Sequence, residues 1–115
     1  WRKPSYQITG SQGEESIDQV VCDVSGPFEL QGSVMTMSFT PTGDGAKGGS
    51  LTVEGNTGGA SFTGSGTYTF NVPAGFGEDG TMQVDLTQTV VIQGQQMSGT
   101  LSIPFTMTAL KDGSC

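Results

Sequence analysis

The stretch Ala60-Ser61-Phe62-Thr63-Gly64-Ser65-Gly66-Thr67-Tyr68-Thr69-Phe70-Asn71-Val72 alternates without a break. Its even positions are apolar, aromatic or glycine, and its odd positions are serine, threonine or asparagine. Successive side chains of a strand point to opposite faces. A period of two held this long therefore predicts one extended β-strand with a dry face and a wet face. A single solvated face belongs to antiparallel sheets, because parallel sheets are covered on both sides.

The pattern recurs twice downstream. After a breaker cluster at Pro73–Gly80, Met82, Val84, Leu86, Val90 and Ile92 share one side of a strand from Thr81 to Gln93. A turn at Gly94–Gln96 follows. Met97, Gly99, Leu101, Ile103, Phe105, Met107 and Ala109 then form the inward row of a third strand. Three consecutive strands joined by local turns predict an antiparallel meander. Each strand would extend about 43 Å if straight, longer than a small core requires. Inward Gly64, Gly66 and Gly99 read as bends that let each strand serve both halves of a curled sheet.

Upstream, Phe28 and Leu30 alternate in the opposite phase to Met35, Met37 and Phe39, which predicts a bulge or bend near Gly32-Ser33. Leu51 and Val53 mark a strand leading into the opening stretch. Residues 1–19 read as a less regular segment. It holds a strand over Ser5–Gly10 and, from the capping-box spacing of Ser11 and Glu14, one helical turn over Glu14–Gln19. Val20–Val24 reads as a strand. The expected fold is a single all-β domain over residues 1–115. It is an antiparallel meander of long, curled strands, about seven or eight in number, forming a β-barrel or a strongly twisted β-sandwich. Pro104 has no ladder hydrogen bond to give, so Ile103–Met107 is expected to be an edge or to lie beside a bulge. An open edge near Pro104 is a place for another protein, or a second copy, to pair.

Composition excludes several function classes. The net charge is −7, from 11 acids and 4 bases, and no Lys or Arg lies between Lys47 and Lys111. Nucleic acid and anionic lipid both need clustered cations, so neither is an expected partner. No apolar run reaches membrane-spanning length. The deficit in hydrophobic residues, at 33%, is filled by 19 Gly, 15 Thr and 12 Ser, which predicts a neutral, hydroxyl-rich surface. Trp1 in the first position is read as a processed N-terminus. With Cys22 and Cys115 it points to a secreted, periplasmic or cell-surface location. A Cys22–Cys115 bridge would close a loop of about ninety residues, worth up to about 4.6 kcal/mol by chain entropy. Two free thiols, or a bridge from Cys115 to another chain, are the alternatives.

The chain has no histidine, which removes Ser-His-Asp triads, Cys-His pairs and His-based metal sites. The carboxylates available to pair for glycoside hydrolysis, Glu54, Glu78, Asp79 and Asp85, fall mostly in turns or on wet faces. Asp44, Glu78 and Asp79 sit in Gly-flanked turns with the residue types of calcium loops but without EF-hand spacing. No metal or other cofactor is expected. The binding candidates are inward Met35 and Met37, Tyr68 on the opening strand, Gln88 as the one polar residue of an apolar row, and loop residue Phe76. A non-enzymatic structural, adhesive or surface-assembly module acting through protein interaction is the expected function. The alternative is a small β-barrel that holds an apolar small molecule inside.

Overall fold

The computed structural model describes residues 4–42, 47–111 and 115. Its strands are β1 (Ser5–Gln12), β2 (Glu15–Cys22), β3 (Phe28–Gln31), β4 (Met35–Pro41), β5 (Gly48–Asn56), β6 (Ala60–Asn71), β7 (Asp79–Ile92) and β8 (Gln95–Leu110). All neighbours pair antiparallel in one sheet, in the order β2-β1-β8-β7-β6-β5-β4-β3. The sheet curls until its two edge strands, β2 and β3, meet. The result is a nearly closed barrel rather than a sandwich.

Strands β6, β7 and β8 follow the predicted alternation. Tyr68, Phe70, Met82, Val84, Leu86, Ile103, Phe105 and Met107 are buried, while Thr67, Thr69, Thr81, Asp85 and Ser102 are exposed. The β7–β8 turn falls one residue earlier than expected. Ile92 pairs with Gln95, and Gln93 and Gly94 both take positive φ, 51° and 80°. That is the geometry of a two-residue type I′ hairpin, whose twist matches the flanking strands.

The N-terminal expectation is corrected. Glu14–Gln19 is not a helical turn: Glu14 lies in the Gly13-Glu14 turn of a regular β1–β2 hairpin, and Glu15–Gln19 begins β2. The bend at Gly32-Ser33 is likewise a hairpin turn between β3 and β4, so Phe28, Leu30, Met37 and Phe39 all reach the core.

Closure between β2 and β3 is made by side chains. The Gln19 amide donates to the Glu29 carbonyl (2.8 Å) and accepts from the Gln31 N–H (3.0 Å), standing in for ladder bonds. The Glu15 carboxylate accepts from the Val34 N–H (3.0 Å) and the Ser33 hydroxyl (2.5 Å). Gly32 makes this possible, since a Cβ there would lie 2.0 Å from Glu15 Oε1. Partial burial of the Glu15 carboxylate opposes its charge, but the bonds from Ser33, Val34 and Met35 outweigh it and lower its pKa. A carboxylate lowered in the folded state stabilises the fold above the ordinary glutamate range and loses that contribution as pH falls through its folded pKa. Glu15→Gln is therefore expected to cost about 1 kcal/mol at pH 7, a modest figure because the site is solvent-screened. The gap to the parent should narrow at pH 3, which urea unfolding at the two pH values would measure.

One end of the barrel holds a cluster of four aromatic residues, Phe28, Phe39, Tyr68 and Phe70. Phe28 and Phe39 stack with centroids 4.7 Å apart, and Tyr68 meets Phe39 edge-on at 5.0 Å. Buried Tyr68 leaves its hydroxyl without a hydrogen-bond partner among the described residues, and burial pushes its pKa up to about 12. An unpaired buried hydroxyl is destabilising, so Tyr68→Phe is expected to raise stability by about 1 kcal/mol. Calorimetry should register this as a melting midpoint a few degrees higher; a lower midpoint would show that the hydroxyl is bonded in solution. At the same end Cys22 and Cys115 form a disulfide, with Cα atoms 5.8 Å apart. Buried Ser5 pairs with Cys22 on one side and Leu110 on the other, so the bridge ties together the two neighbours of β1.

Candidate functional site

The opposite end is built differently. β8 is the longest strand, but β1 accompanies it only from Thr106 to Leu110, through the pairs Thr9↔Thr106 to Ser5↔Leu110. The next hydrogen-bonded pair in that register would join Ser11 to Pro104, which has no N–H. β1 leaves β8 there, and Gln95–Phe105 is paired on one side only, by β7. The expected edge at Ile103–Met107 is thus shifted: Met107 pairs with Ile8 inside the sheet, and the edge runs the other way, toward the β7–β8 turn.

Which groups the edge presents follows from ladder parity. The Ala109 N–H donates to the Glu78 carbonyl and its carbonyl accepts from Gly77, so odd-numbered residues of β8 bond toward β7. The register with β7 is unbroken from Asp79↔Thr108 to Ile92↔Gln95, which carries this parity along the strand. Even-numbered residues therefore point their backbone groups away from β7. The N–H and C=O groups of Gln96, Ser98, Thr100 and Ser102, and the C=O of Pro104, have no ladder partner among the described residues.

This half of β8 overruns the core. Gln95 to Thr100 are exposed on both faces, and Met97, expected to point into the core, is 60% exposed. The molecule measures 50 Å along its long axis. The extra strand length predicted to curl around both halves of the sheet is instead partly an overhang. Outer-face hydroxyls hold it to β7: Thr89 bonds Ser98 (3.0 Å), and Ser102 donates to Asp85 (2.6 Å) while accepting from Gln83 (2.7 Å).

Where β1 diverges from β8, a cavity of 150 Å³ opens at the barrel mouth. Met35 and Met37 of β4, Gln88 of β7, and Leu101, Ile103 and Phe105 of β8 line it, and the tip of the β1–β2 hairpin, with Glu15, forms its other wall. Gln88 lies in a cross-strand row between Gly64 and Gly99, whose missing side chains leave it room. Phe105 sits over Gly10, where a Cβ would lie 2.5 Å from the ring.

Three of the five binding candidates, Met35, Met37 and Gln88, thus meet at one cavity. The other two do not. Tyr68 is enclosed in the aromatic end, and Phe76 is 67% exposed on the β6–β7 loop, away from the mouth. Of the calcium candidates, Asp79 accepts a bond from the Thr108 hydroxyl (2.7 Å), Glu78 gives its backbone carbonyl to Ala109, and Asp44 lies outside the described residues. No group of three or more acids or cysteines gathers among the described residues. Leu101, Ile103 and Phe105 were legible as inward residues but not as a cavity wall; Pro104 was the signal that marked this stretch. No protein-family model, curated protein or solved structure matches the chain.

Proposed function

We propose that this domain is a non-catalytic interaction module of an extracellular or cell-surface assembly, and that it binds an extended strand along the free edge of β8. The observation that carries this reading is the run of unpartnered backbone groups from Gln96 to Pro104. Exposed edges are templates for strand addition, and proteins normally guard them with charge, bulges or cover. This edge carries no charged residue, since none occurs between Asp85 and Lys111. Half-buried Leu101 and exposed Met97 on the adjoining face offer apolar contact to alternate side chains of an added strand.

A carrier of apolar small molecules is less well supported. Pockets for drug-sized ligands start at about 300 Å³, and this cavity measures 150 Å³. Among the described residues, the one carboxylate lining it, Glu15, has its oxygens committed to Ser33 and Val34. The test is an NMR titration with an uncharged peptide of alternating threonine and valine. Strand addition predicts shifts concentrated at the amides of Gln96, Ser98, Thr100 and Ser102. Shifts at any other surface, or none, would contradict it.

A further inference from the structure

We infer that the strand occupying this edge is β8 of a second copy, placed antiparallel about a two-fold axis at Thr100; this rests on the strand-addition reading above. An isologous interface must be self-complementary, and three features of β8 meet that condition.

The first is hydrogen bonding. With Thr100 facing Thr100 of the second copy, Ser98 faces Ser102 and Gln96 faces Pro104. All are even-numbered residues, whose backbone groups point out of the sheet edge. Pro104, which has an acceptor but no donor, falls at the ends of this register. There Gly10 of β1 stands beside the strand, with a Cβ position 3.1 Å from the Pro104 carbonyl oxygen, so the pairing is carried by Ser98 to Ser102.

The second is the match of faces. Directly opposite residues of an antiparallel pair share a face. In this register Met97 lies across from Ile103 of the second copy, and Gly99 from its Leu101. Met97 is 60% exposed in one copy, and nothing lies within 4 Å of where a Gly99 Cβ would be. The second copy sets its apolar row over the first copy's exposed one, beside the cavity mouth. On the other face, serine and threonine rows continue across the axis.

The third is charge. The molecule carries −7, which keeps copies apart at most surfaces. The stretch from Leu86 to Leu110 carries no charge at all, so two copies meet there without like-charge repulsion.

Sedimentation equilibrium over a concentration series tests this. The parent chain is expected to pass from monomer to dimer. Thr100→Lys sets two ammonium groups against each other on the axis and should weaken association at least about tenfold. Ser98→Glu combined with Ser102→Lys places each acid opposite a base of the second copy and should leave the dimer intact or tighter. Ser98→Glu combined with Ser102→Glu sets acids against acids and should abolish it. Circular dichroism of each variant monomer guards against a folding defect. A parent that stays monomeric up to about 1 mM, a range that reaches weak association, overturns the two-fold pairing. So does a dimer indifferent to Thr100→Lys. If the alternating peptide still shifts the edge amides while the chain stays monomeric, self-pairing falls and strand addition stands. If the peptide also fails, both fall.

Discussion

Replacing Cys22 and Cys115 together by serine is expected to lower the unfolding free energy by about 4 kcal/mol. The bridge joins residues 93 apart in sequence, so it removes a large share of the unfolded chain's freedom. Both cysteines are exposed, so serine leaves no cavity and the effect isolates the cross-link. Domains of this size are stable by only about 5–15 kcal/mol, so the loss is a large fraction of the whole. The bridge also clamps the two neighbours of β1. Its removal should therefore raise amide exchange first at the Ser5–Thr9 and Thr106–Leu110 pairing. Urea unfolding with an unchanged m-value measures the global term. A loss below about 1 kcal/mol would show that the unfolded chain is already restrained without the bridge.

The second large effect separates two glycines that look alike in sequence. Gly66 and Gly99 are both inward-facing and mid-strand, yet only one has space. A Cβ on Gly66 would lie 2.0 Å from the Asp85 carbonyl oxygen and 2.6 Å from the Leu86 Cα. Those are backbone atoms of β7, so no rotamer change relieves the contact and the ladder itself must open. Gly66→Ala is expected to cost about 3 kcal/mol, at the upper end for overpacking. A Cβ on Gly99 meets nothing within 4 Å. Gly99→Ala should be neutral or stabilising by about 0.5 kcal/mol, through the reduced freedom of the unfolded chain. Thermal melts of the two variants should diverge widely. Equal midpoints would contradict the close approach of β6 to β7 at Gly66.

These glycines show how far the alternation carries. The period of two assigned faces correctly along β6, β7 and β8, because each inward row there is nearly all apolar or glycine. It did not tell which inward position is crowded and which is open, since that depends on how closely the neighbouring strand passes. Nor did it show where the core ends. Met97 has the phase of Met107 but lies 60% exposed, in the half of β8 that β1 does not accompany.

The first part of β2, Glu15–Gln19, was misread for a related reason. The inward row of the strand is Glu15, Ile17, Gln19 and Val21, so two polar residues break the apolar signal. Those two residues are the ones that close the barrel, Gln19 onto β3 and Glu15 onto the β3–β4 turn. The polarity that hid the strand is what joins its edge to the rest of the sheet. Pro104 was the most direct pointer to the candidate site. A proline in a long strand calls for an unpaired side, and here it sets the point where β1 departs. Phe76, chosen for its exposure between glycines, is 67% exposed on the β6–β7 loop, away from the cavity. Tyr68 owes its conspicuous place in the opening stretch to the aromatic core.

Between Gln95 and Phe105, β8 is paired on one side only. Residue-resolved amide hydrogen exchange on the dilute, monomeric domain tests this most directly. One-sided pairing predicts alternation: rapid exchange at Gln96, Ser98, Thr100 and Ser102, and slow exchange at Met97, Gly99, Leu101 and Ile103, whose N–H groups bond to β7. Uniform protection along the strand would mean that the edge is already covered within one chain, and would contradict one-sided pairing.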